Sequence, residues 1–88
     1  MPRFLIERDV GRLTRQEIDD AGARSVAVLG EMSGITWIKS HVSAADGKIF
    51  CEYEAVDEEK ILEHARRAGL PANKITRIEL SISPDMVV

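Results

Sequence analysis

Two runs rich in β-branched and aromatic residues, 35–44 (ITWIKSHVSA) and 48–55 (KIFCEYEA), meet across Asp46-Gly47. Residues of this kind fill pleated, half-buried surfaces. An aspartate–glycine pair reaches positive φ at little steric cost and so closes hairpins. An antiparallel pair at the centre of the chain is therefore the first expectation, and the flanking segments must supply whatever covers it.

Residues 3–9 (RFLIERD) make a short run whose alternation puts Phe4 and Ile6 on one face, Leu5 and Glu7 on the other. Gly11 breaks the chain. Thr14-Arg15-Gln16-Glu17 then reads as a capping box, a hydroxyl for one free amide and a carboxylate reaching back for another. Downstream, Ile18, Ala21, Gly22, Ser25, Leu29 and Met32 recur at helical spacing, and the small members of that stripe predict a helix lying close to a sheet. Gly30 and Gly34 offer stops. Asp57 caps a second helix, with Glu58 and Glu59 in its first turn and Arg66 and Arg67 in its last, matching the helix dipole. Gly69 gives it a left-handed exit and Pro71 prevents continuation. Residues 74–82 (KITRIELSI) alternate as a half-exposed strand that Pro84 ends.

The order β-α-β-β-α-β defines an α+β class. Short right-handed crossovers arrange it as a ferredoxin-like βαββαβ sandwich: a four-stranded antiparallel sheet in spatial order 4-1-3-2 with both helices on one face. Eighty-eight residues fit a single domain, 1–88. The second sheet face is left bare. With Leu5 and Trp37 expected on it, it predicts a homodimer formed through the open sheet face. The end, Met86-Val87-Val88, reads either as a frayed terminus or as a strap across the partner.

Composition removes several classes of function. A net charge of −3 and a pI near 5.3 do not suit a nucleic-acid partner, which calls for a basic face. No apolar run approaches the roughly 20 residues that span a bilayer, and Phe4-Leu5-Ile6 is too short for a secretion signal. A cytoplasmic protein is expected. The lone Cys51 cannot form an internal disulfide, which suits a reducing compartment.

Chemistry could gather where three strands adjoin. Trp37, Lys39 and His41 share one face of the second strand, Cys51 and Tyr53 one face of the third, and Glu7 lies on the adjacent first. A three-residue turn, 45–47, would set His41 against Cys51. A two- or four-residue turn would shift the register by one and send them to opposite faces. Imidazole, thiolate, carboxylate and phenol together suit borderline metals such as nickel, copper and zinc, although the repeated spacing of a closed zinc site is absent. Each residue also has a plainer reading. Cys51 is a small buried hydrophobe, His41 a half-exposed strand residue, Glu7 a solubilising edge charge, and Tyr53 and Trp37 are dimer-core aromatics.

The runs F-x-I-E-R at 4–8, W-x-x-S-x-V at 37–42, C-x-Y-E-A at 51–55 and E-H-A-x-x-A-G-x-P at 63–71 resemble a small actinobacterial family of ferredoxin-like proteins with a nickel-binding member. The resemblance covers nearly the whole chain. It implies a dimer with nickel bound by side chains near the sheet, and the leading functional expectation is binding of nickel, or another divalent metal, for sequestration or delivery. Glu7, His41, Cys51 and His64 are the ligands it implies, with Tyr53 as a neighbour. His64 also has a plain reading as a hydrogen-bonded packing residue on the inner stripe of the second helix. Two other classes of function remain open. One is a small-molecule enzyme of the dimeric, monooxygenase-like type, by fold analogy; the other is a non-catalytic interaction module that docks through the bare sheet.

Overall fold

The computed structural model describes residues 1–86; Val87 and Val88, part of the C-terminal strap expected above, lie outside the described residues. The elements run β1 (Arg3–Asp9), α1 (Arg15–Leu29), β2 (Ile35–Ser43), β3 (Lys48–Ala55), α2 (Glu58–Ala68) and β4 (Lys74–Ile78), followed by a 3-10 turn at Pro84–Met86. The four strands form one antiparallel sheet in the order β2-β3-β1-β4, the expected 4-1-3-2 arrangement.

Local chemistry sets the helices. Thr14 Oγ1 accepts from the Glu17 amide at 3.1 Å while Glu17 Oε1 accepts from the Thr14 amide at 3.0 Å, so two otherwise orphaned donors are satisfied reciprocally. Asp57 Oδ1 accepts from the Lys60 amide at 3.1 Å and starts α2. Gly69, at φ +68°, ends it, with its own amide bonded to Arg66 O and the Leu70 amide to Ala65 O, the paired closure of a Schellman turn. Arg24 Nε donates to Ala68 O at 3.1 Å and ties α1 to the end of α2.

Both helices cover the same sheet face. Phe4 and Ile6 from β1, Ile49, Cys51, Tyr53 and Ala55 from β3, Ile35 from β2 and Ile61 from α2 form the core. Along α1 the buried residues are Ala21 and Ser25. Their small size lets the helix approach the sheet, as the stripe of small residues predicted.

Two strand boundaries differ from the sequence expectation. β4 stops at Ile78 and not at residue 82, because Ile78 pairs with Arg3, the first residue of β1, its one neighbour among the described residues. Beyond that point the backbone has no ladder to join, and Leu80 and Ile82 stand exposed. In the hairpin, nine residues of β2 face eight of β3. Ile35 pairs with Ala55 and Ser43 with Lys48, so one residue is surplus, and the register shifts between Trp37 and Lys39. A bulge of this kind inverts the alternation of side chains past it. The turn comprises Ala44, Ala45, Asp46 and Gly47, four residues and not three.

Candidate functional site

The register decides which candidate residues can meet. Ser40, not His41, pairs with Cys51; His41 pairs with Phe50. Of the registers the sequence left open, the one that sets His41 against Cys51 is not formed, and the four-residue alternative is. The two side chains emerge on opposite faces because the turn is four residues long and the bulge absorbs the surplus. The expected place of Trp37 is corrected. It pairs with Tyr53 on the helix side, while Lys39 and His41, past the bulge, face the open side. An open face carrying both Leu5 and Trp37 is thus not what the fold builds.

What the open face does carry can be read row by row. Lys74, Glu7, Phe50 and His41 stand in one row across β4, β1, β3 and β2, and Thr76, Leu5, Glu52 and Lys39 in the next. Leu5 and Phe50 are half-buried at the centre. Charged pairs surround them. Asp9 Oδ1 lies 2.8 Å from Lys48 Nζ, Glu54 Oε1 3.2 Å from Arg3 Nη2, and Glu7 Oε2 4.0 Å from Lys74 Nζ. Exposed pairs of this kind add little stability. The His41 ring is exposed, and among the described residues no hydrogen bond or ion pair holds it. Glu52 sits diagonally beside His41 on the adjacent strand. The open face thus offers an imidazole and two carboxylates around one phenylalanine.

The helix side gathers the other three candidates. Cys51 is a free, buried thiol. The rings of Tyr53 and His64 lie 5.3 Å apart, tilted by 51°. His64 is fully buried, and its Nε2 shares a hydrogen bond of 3.0 Å with Ser25 Oγ, while Nδ1 has no partner among the described residues. Burial, and then the positive charge of Arg8, hold the imidazole below its ordinary proton affinity, with the Ser25 bond opposing in part. Burial likewise pushes the Tyr53 phenol up, against the Ser25 hydroxyl and the Arg8 guanidinium.

Two members of this cluster escaped the sequence reading. Arg8 is 1% exposed. Its alternation with Phe4 and Ile6 put it on the core face, but a charge reads as a surface residue. Ser25 was visible only as a small member of the α1 stripe, with no sign that it answers His64.

A depressed imidazole has a thermodynamic sign. The unfolded chain takes up a proton near the ordinary value of about 6.5, and the folded chain only at lower pH. Stability from His64 is therefore complete above about pH 6.5 and is lost as pH falls below it toward the folded value. Urea unfolding between about pH 7 and 5.5 is expected to show this decline, and His64→Gln to flatten it. An unchanged slope in the variant would place the titration elsewhere.

A four-stranded antiparallel sheet in this order, with two helices on one face, places the chain among ferredoxin-like α+β proteins. Within that class it belongs to the nickel responsive protein SCO4226-like family, whose family model matches residues 4–78. The crystal structure of SCO4226 from Streptomyces coelicolor A3(2) is similar, with a TM-score of 0.81 and 23% sequence identity over 91% of this chain and 99% of that one. At that identity the likeness speaks to the fold. No curated protein matches the chain. No helix among the described residues is long and apolar enough to cross a membrane.

Proposed function

We propose that the protein binds a divalent transition metal, nickel first, on the open face of its sheet. It does so as a homodimer that sequesters or delivers the ion in the cytoplasm. The observation that carries this reading is the standing of Glu7 and His41 in one row of that face, on either side of Phe50, in a chain of a nickel responsive family. Imidazole nitrogen suits nickel, and carboxylate oxygen can complete its shell. One chain is not enough: among the described residues no group of three His, Cys, Asp or Glu side chains is gathered to hold an ion. A second copy stacked on Leu5 and Phe50 about a two-fold axis would bring its own Glu7 and His41 to the same interface. Cys51, Tyr53 and His64, on the far side of the sheet, act in this reading as packing and hydrogen-bonding groups.

Calorimetric titration of untagged protein with nickel tests the proposal. Saturable binding is expected, weakened by at least about 10–100-fold in His41→Ala and in Glu7→Gln, the loss typical even of a supporting group in a metal site. Cys51→Ser is expected to bind as the parent does. Affinity should fall with acid, since an imidazole must shed its proton to ligate. Loss of binding in Cys51→Ser with His41→Ala unaffected would move the site to the helix side and overturn the reading.

A further inference from the structure

We infer that the cleft between α1 and the outer strand β2 is a binding site for a small organic monocarboxylate with an apolar body, held by Arg8. The cleft has a volume of about 330 Å³, within the range of small-molecule pockets. Its walls are chiefly apolar: Ile18, Ala21 and Gly22 from α1, Trp37 and Val42 from β2, and Ile49 from β3. Arg8 borders it.

The charge state of Arg8 is the reason to expect an anion. A guanidinium stays protonated in proteins, and an unpaired buried charge costs several kcal/mol. Arg8 has only a carbonyl, Pro71 O, 2.7 Å from Nη1, and the Tyr53 ring, whose centroid lies 5.9 Å away. Among the described residues Nε and Nη2 find no hydrogen-bond partner and no carboxylate forms an ion pair with Arg8; both atoms are closed off from solvent, so the guanidinium must turn toward the cleft to present them to a ligand. Nε and Nη2 together make one edge of the guanidinium, the edge that receives both oxygens of a carboxylate side-on.

The walls say what kind of anion. Apolar side chains on both α1 and β2 favour a ligand with an apolar body over a hydrated inorganic ion. Asp19 also lines the cleft, and although Arg15 pairs with it at 3.0 Å, it disfavours a second negative charge. Gly22 leaves the α1 wall of the cleft without a side chain. A Cβ added there would meet no neighbouring element among the described residues within 4 Å, so a larger side chain could extend into the cleft.

Trp37, the only tryptophan, lines the cleft and reports on it. Hexanoate is expected to change its fluorescence and raise the melting temperature saturably, whereas hexanol and inorganic phosphate do neither. Arg8→Met, close in size without the charge, is expected to fold and to lose the hexanoate response by at least about tenfold. Gly22→Leu, which fills the cleft from a helix position, is expected to abolish the melting shift, and it keeps the test decisive should Arg8→Met fail to fold. An equal response to hexanol, or a parent-like response in Gly22→Leu, overturns the inference. A response to phosphate matching that to hexanoate overturns the assignment to an organic carboxylate.

Discussion

Ile6→Ala is expected to lower the free energy of unfolding by about 2–5 kcal/mol, the cost of emptying a well-packed core position. Ile6 is completely buried. It sits at the crossing of the fold, paired with Cys51 on one side and Ile75 on the other. Its neighbours along β1 are Glu7, on the open face, and Arg8, on the cleft, so loosening this strand disturbs both sides of the sheet. A domain of this size has total stability on the order of 5–15 kcal/mol, and a large part of it would be lost. The urea midpoint should fall while the slope of the transition stays constant, as a change in stability alone requires. A loss below about 1 kcal/mol would mean that β1 is not the centre of the core.

Gly47→Ala comes next in size, by a different mechanism. Gly47 has φ +63°, and a Cβ built on it would lie 2.9 Å from the Gly11 backbone. Its carbonyl also accepts from the amides of Val10 and Gly11, at 2.9 and 3.1 Å, so the β2–β3 turn and the segment leaving β1 are clamped together. A left-handed alanine costs about 1–2 kcal/mol and forced overpacking about 1–3 kcal/mol, giving roughly 2–5 kcal/mol for the two together. Gly69→Ala supplies the control. Its φ is +68° with nothing within 4 Å, so only the conformational part, about 1–2 kcal/mol, is expected. Equal losses at the two positions, in parallel urea titrations, would show that the contact with Gly11 contributes nothing.

The elements legible in the sequence are those decided by neighbouring residues. Thr14 with Glu17, Asp57 with Lys60, and Gly69 each set a helix end through bonds spanning a few positions, and these are where the structure has them. The alternation of Phe4 and Ile6 against Leu5 and Glu7 likewise needs only local geometry. What could not be read depended on distant partners. Where β4 ends is set by where β1 begins. The burial of Arg8 put alternation and charge in conflict, and alternation prevailed. The candidate ligands were hardest, because Ile38 is β-branched like its neighbours and nothing in its chemistry marks it as the residue that β3 does not match.

The four-residue turn explains why that surplus stays where it is. Gly47 donates to Ala44 O at 3.2 Å and Ser43 Oγ to Asp46 Oδ2 at 2.9 Å, so the loop is cinched at both shoulders and cannot take up slack. Were the cinch to open by one step, Ile38 would enter the ladder and the half of β2 nearest the turn would roll over. His41 would then leave solvent and come to rest against Ile49 under α1. The closure of that loop is thus what holds the imidazole on the open face.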